Sequence, residues 1–140
     1  ALLDIVKVVE KEKEAFQPDI IFTHNGSDLN IDHQITFQAV MTATRPMEGE
    51  VVHTVIIFET PSATEWQATS TADHFAPNFY FEISDEDLKA KTKAMSCYEF
   101  ESRIFPHPRS SEALEVLAKY RGIQVGCHYA EAFQIIRHII

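Results

Sequence analysis

Apolar residues recur at helical spacing as soon as the chain begins. Leu2, Ile5, Val6, Val9 and Phe16 fall on one side, with Lys7, Glu10, Lys11 and Glu14 on the other. The pattern predicts an amphipathic helix over about residues 2–16, whose charges three and four apart can pair on a solvated face. Gln17-Pro18-Asp19 breaks it. The next run, Asp19-Ile20-Ile21-Phe22-Thr23, is β-branched and aromatic and apolar on both faces, as expected of a central parallel strand. Asn25-Gly26-Ser27-Asp28 is a dense turn signal, and a second helix is predicted over about residues 32–44, ending before Pro46.

Residues 51–58 read as another buried strand. Residues 59–78, with Pro61, Pro77 and many Ser, Thr and Ala, read as a long loop of the kind that borders functional clefts. A short strand is predicted over 79–83. Ser84 caps a helix reaching about residue 102, whose first turn holds Asp85, Glu86 and Asp87, where carboxylates favour the helix N-terminus. Pro106 and Pro108 interrupt the chain, and Ser111 caps a helix over about 112–121 that stops at Gly122. The pattern of 129–140 fits a strand or a short helix. The whole is a single domain, 1–140, built as an open α/β sheet without opening strands. In such sheets reactive groups lie on loops beyond the carboxyl ends of the strands, and the loop after Thr23 is the first of these.

Composition narrows the partners. A formal charge of −9, with 12 scattered Lys and Arg, opposes a nucleic-acid partner, because phosphate neutralisation needs clustered cations. No stretch approaches the roughly 18 apolar residues of a membrane span. Cys97 and Cys127 have no metal-type spacing and read as reduced, partly buried thiols, which with the lack of a signal peptide favours the cytoplasm. The chain enters its first helical pattern at Ala1-Leu2-Leu3 without a Met, which leads us to expect an upstream segment. With four glycines and neither G-x-G-x-x-G nor G-x-x-x-x-G-K, a nucleotide-binding domain has no phosphate cradle to support it.

Candidate chemistry converges in Thr23-His24-Asn25-Gly26-Ser27-Asp28-Leu29-Asn30-Ile31-Asp32-His33. His33 falls in the first turn of a helix entered from a strand-end loop. A neutral imidazole there could bind Zn²⁺ at about 2.0–2.1 Å, oriented by a neighbouring carboxylate. The plainer reading takes Asp32 as an N-cap and His33 as an exposed first-turn residue, and spacing alone does not decide between them.

This segment resembles the second signature of the LmbE/PIG-L family of zinc-dependent deacetylases, in which a strand ends in Thr-His and a loop leads to Asp-x-His/Asn-x-Asp-His. Pro61 to Trp66, Tyr98-Glu99, Pro106-His107-Pro108-Arg109-Ser110, Tyr120-Arg121-Gly122, Gly126 and Tyr129-Ala130-Glu131-Ala132-Phe133 are similar to later family segments. The resemblance implies a Rossmann-like, mostly parallel sheet flanked by helices. It also implies hydrolysis of an N-acetyl group on an amino sugar or glycoside at a zinc ion held by two His and one Asp. Zinc lowers the pKa of bound water from 15.7 towards about 7 and polarises the amide carbonyl.

On that resemblance His33 is the metal ligand and Asp32 a carboxylate behind it. Asn30 stands where many members carry a His thought to stabilise the oxyanion; an amide can donate a hydrogen bond there but no proton. His24, Arg121 and His128 are candidate substrate contacts: His24 lines the cleft or else anchors the loop, Arg121 offers a guanidinium fork suited to planar anions or else simply favours the helix dipole, and His128 follows Gly126 near the cleft. Trp66 could stack on a sugar ring. The family's first signature, His-Pro-Asp-Asp-Glu, is absent, so the chain offers one of the three expected ligands and is expected to be inactive alone, the others lying upstream of residue 1. Members often form trimers or hexamers, which makes a homo-oligomer an expectation. The alternative is a non-catalytic α/β binding or assembly module that kept the scaffold and lost the metal.

Overall fold

The computed structural model of the protein describes residues 1–68 and 73–140, so part of the predicted 59–78 loop lies outside the described residues. The elements run α1 (Leu2–Phe16), β1 (Ile20–His24), α2 (Ile31–Ala43), β2 (Thr54–Phe58), β3 (Phe79–Glu82), α3 (Asp85–Ser96), α4 (Ser111–Val125) and β4 (Ala130–His138). The strands are ordered β1-β2-β4-β3. β1 pairs with β2 in parallel, Ile20 opposite Thr54 and His24 opposite Phe58. β2 pairs with β4 antiparallel, with a register break between Val55 and Ile56.

The fold is α/β as expected, with a mixed sheet where a mostly parallel one was expected, and among the described residues β1 lies at its edge. Both faces of β1 are apolar, but only one is covered. Ile21 packs with Val40, Val52 and Val55, whereas Ile20 and Phe22 on the opposite face are 47% and 50% exposed.

The chain divides into two compact units, residues 1–76 with 133–140, and residues 77–132. In the first, Val6 of α1 packs against Ala39 and Ala43 of α2, where the absence of bulk lets the helices approach. Gln17 ends α1 in the left-handed conformation (φ 54°), its N–H on the Lys13 carbonyl, and Pro18 prevents continuation. Two cations meet the C-terminus of α2: Lys13 Nζ donates to the Ala43 carbonyl at 2.6 Å and Arg137 Nη2 to the Thr44 carbonyl at 2.5 Å. Unpaired carbonyls and the negative end of the helix dipole favour positive charge there.

In the second unit Ser84 and Asp87 form a reciprocal capping box on α3, which ends at Ser96, short of the predicted 102. Ser110, buried, caps α4 through its hydroxyl, so the cap precedes the predicted one by a residue. Gly122 does not stop that helix. It lies within the last turn, where an added Cβ would come 2.5 Å from the Cys127 carbonyl oxygen. The undecided terminal segment is strand β4. Cys97 is exposed and Cys127 half-buried. Among the described residues no helix is long and apolar enough to cross a membrane.

Candidate functional site

β1 delivers Thr23 and His24 to the carboxyl edge of the sheet, and residues 25–30 carry the chain back to α2. Asn30, not Asp32, caps that helix: its Oδ1 accepts the Asp32 N–H at 2.8 Å. Gly26 is required by closeness, since a Cβ would sit 2.3 Å from Cδ1 of Phe37 on α2. The loop is also stitched to residues 59–68, where the Ala63 carbonyl accepts the Leu29 N–H at 3.2 Å.

This folding buries Asp28 completely. Its Oδ1 accepts from Asn25 Nδ2 at 2.9 Å, its Oδ2 lies 2.8 Å from His33 Nδ1, and its carbonyl accepts from Gln34 Nε2 at 2.6 Å. An ionised carboxylate only accepts, so Nδ1 of His33 donates to it, and in the neutral ring the lone pair is then on Nε2. The His33 side chain keeps 15% of its surface exposed, so the ring is held at Nδ1 without being sealed from solvent. A buried carboxylate that orients an imidazole is the usual support of a histidine that binds a metal or moves a proton.

His24 stacks on His33, ring centroids 4.2 Å apart, and also lies 4.9 Å from the Phe58 ring. Burial and the neighbouring His33 hold its imidazole below the ordinary 6.5, against the opposite pull of Asp28. The buried Thr23 Oγ1 and His24 Nδ1 find no hydrogen-bond partner among the described residues.

The structure thus brings His24, Asn30 and His33 to one strand end, but the carboxylate on the His33 ring is Asp28. Asp32, expected in that place, is exposed, and its carbonyl accepts from the Thr36 hydroxyl at 2.7 Å. Arg121 and His128 belong to the other compact unit. Arg121 donates to Gln124 Oε1 at 3.0 Å with its guanidinium 5.3 Å from the Tyr120 ring, and His128 is exposed. Sequence reasoning passed over Asn25, Asp28 and Gln67, whose Oε1 accepts from Asn25 Nδ2 at 2.9 Å. The available signal was a second Asp five positions before His33, hidden in what reads as a turn. Among the described residues no group of three or more His, Cys, Asp or Glu side chains is placed to hold a metal ion. One oriented imidazole fits a single position of a zinc centre, and the described residues do not complete one.

No protein-family model and no curated protein sequence matches the chain. Solved structures do. An N,N'-diacetylchitobiose deacetylase from Pyrococcus horikoshii superposes with a TM-score of 0.70 at 16% identity, over 96% of this chain and 51% of that one. Teicoplanin deacetylase, in a zinc-inhibited form, gives 0.73 at 14% identity, over 97% and 52%. The 4-carboxy-2-hydroxymuconate hydratase of Pseudomonas putida gives 0.69 at 19% identity, over 98% and 60%. The chain has the α/β fold of these proteins. It spans between half and three fifths of their length, and identities this low speak to the fold alone.

Proposed function

We propose that this chain forms part of a zinc-dependent N-deacetylase acting on an N-acetylated amino sugar or glycoside. In this reading His33 is its contribution to the metal, and the remaining ligands lie outside residues 1–140. The observation that carries it is the fully buried Asp28 carboxylate 2.8 Å from His33 Nδ1. Burying a carboxylate is costly unless its partners are in place, and here they leave one imidazole nitrogen available at the carboxyl end of a strand. The fold shared with two deacetylases supports the reaction class. Zinc, when bound, would polarise the amide carbonyl and make an attacking water acidic.

The residues of this chain have narrower tasks. Asp28 holds the His33 ring and its tautomer. His24 walls the ring on one face. Asn30 caps α2 and Asp32 lies in its first turn; the cap uses only Oδ1 of Asn30, so its Nδ2 can donate towards a developing oxyanion while the cap is kept. Arg121, His128 and the half-exposed Trp66 are the proposed sugar contacts, and the small-molecule substrate, the cytoplasmic setting and a homo-oligomer belong to the same reading.

A second reading has its own observation. Among the described residues no group of three His, Cys, Asp or Glu side chains is placed to hold a metal ion, as in a binding or assembly module that kept the scaffold and lost the metal. One experiment separates them: zinc analysis of the full protein and its His33→Ala variant, beside an assay of acetate release from N-acetylglucosamine glycosides. The proposal expects one zinc per site, lost in the variant together with activity. Equal zinc in both proteins removes His33 from the metal, and zinc-free, inactive wild type favours the module.

A further inference from the structure

Asn25 is almost wholly buried, and every polar atom of its side chain is committed. Its Oδ1 accepts the Ser27 N–H at 3.3 Å, while its Nδ2 donates to Asp28 Oδ1 and to Gln67 Oε1, each at 2.9 Å. Turning the amide over would set its oxygen against two acceptors and its NH₂ against an N–H, so its polarity is dictated. Asp28 is held just as firmly, with its carbonyl under Gln34 and its N–H on the Asn25 carbonyl at 3.3 Å. One carboxylate oxygen is therefore consumed as the acceptor of an amide N–H, and only the other faces the imidazole.

We infer that Asn25 is a positioning residue that fixes which end of the side chain at position 28 faces His33, and that the tautomer of the imidazole follows from that end. Gln67 makes loop 59–68 part of the same chain of hydrogen bonds. The inference concerns the side chain on which the proposed function rests, but it requires no metal.

The logic can be inverted by substitution. In Asp28→Asn the introduced amide has one accepting and one donating end. The NH₂ of Asn25 demands the accepting end, so the donating end meets Nδ1 of His33 and the proton moves to Nε2. If Asn25 had no such authority, the introduced amide would turn its oxygen to the imidazole and the original tautomer would persist. Adding Asn25→Asp reverses the demand: the new carboxylate accepts from the introduced amide, whose oxygen then faces Nδ1 and restores the original tautomer. The Ser27 N–H keeps its acceptor, and Gln67 can turn its amide to donate.

The experiment records two-bond ¹H–¹⁵N correlations of the histidine-labelled intact protein with chelator present. Spectra are recorded at about pH 8.5, roughly two units above the ordinary imidazole value. His33→Gln identifies the His33 signals. Expected are a pyridine-type Nε2 in the wild type, a pyridine-type Nδ1 in Asp28→Asn, and a return to pyridine-type Nε2 in the double variant. A wild type with the opposite tautomer, a single variant that keeps the original one, or a double variant that is unfolded or keeps the changed one overturns the inference. If the single variant does not fold, the wild type and the double variant decide. Zinc titration of the same proteins reports separately: a tautomer that follows the swap without zinc binding upholds the inference while removing the metal role.

Discussion

Oδ2 of Asp28 and Nδ1 of His33 lie 2.8 Å apart, the carboxylate fully buried and the imidazole not sealed from solvent. The pair separates two carboxylates that look equivalent in the sequence. Asp28→Ala removes the acceptor of two buried donors and is expected to destabilise the protein by about 1–3 kcal/mol. Asp32→Ala removes an exposed first-turn side chain and should stay within about 0.5 kcal/mol. Urea unfolding of both variants checks this, and an equal loss in the two would show that Asp28 does not hold the ring.

Gly26 lets the loop that carries Asp28 lie close against Phe37 of α2. A methyl group there would fall 2.3 Å from the Phe37 ring, so either the ring or the loop must move. Gly26→Ala is expected to cost about 1–3 kcal/mol through overpacking. Because the clash is with a single side chain, the cost should shrink in a Phe37→Leu background, giving a measurable coupling in a double-mutant cycle. Strict additivity would place the strain elsewhere.

The regular elements were legible where period and punctuation agree. α1 matches its predicted span because a helical apolar stripe runs directly into Gln17-Pro18. The mixed sheet was not legible, because an apolar run on both faces describes β1 equally well whether a strand or solvent lies beside it. The same holds at the site. Local pattern locates His33 at the entry of α2, but the partner that orients it is chosen by burial. Asn25, the amide partner of Asp28, is itself held by Gln67, 42 positions along the chain, a relation no spacing rule encodes. Asn30 and Asp32 show the converse: both read as chemistry in a motif, yet in the fold Asn30 caps the helix and Asp32 faces solvent.

Gly122 offers a test in the second unit. Within α4 a glycine lowers helix stability relative to alanine, so propensity alone predicts that Gly122→Ala stabilises by up to about 1 kcal/mol. The structure predicts the opposite sign, because the new Cβ would lie 2.5 Å and 2.8 Å from the backbone carbonyl oxygens of Cys127 and His128. Backbone cannot yield as a side chain tip can. A lowered Tm is expected, and a raised one would mean that the 127–128 segment is free to move away.

The Lys13–Glu50 pair should give the first unit a pH-dependent component of stability. Lys13 Nζ lies 2.5 Å from Glu50 Oε2, with the two side chains 17% and 10% exposed, and Glu50 Oε1 also accepts the Val52 N–H at 2.9 Å. Burial pushes the Glu50 carboxyl up. The Lys13 hydrogen bond, the Val52 N–H and the charges of Lys13 and Arg137 together outweigh it and hold the group below the ordinary 4.5. A depressed folded-state value means that unfolding takes up a proton near and below that pH. The stabilisation is therefore complete well above 4.5 and is lost as pH falls through the folded-state value. Glu50→Gln, which keeps the shape and removes the charge, is expected to cost about 1–3 kcal/mol at neutral pH, as befits a largely buried hydrogen bond to a charged group. The gap between wild type and variant, followed by urea unfolding, should narrow as pH drops through the acid range. A gap that stays constant down to the acid transition would mean that the pair holds α1 to the loop after α2 by shape and not by charge.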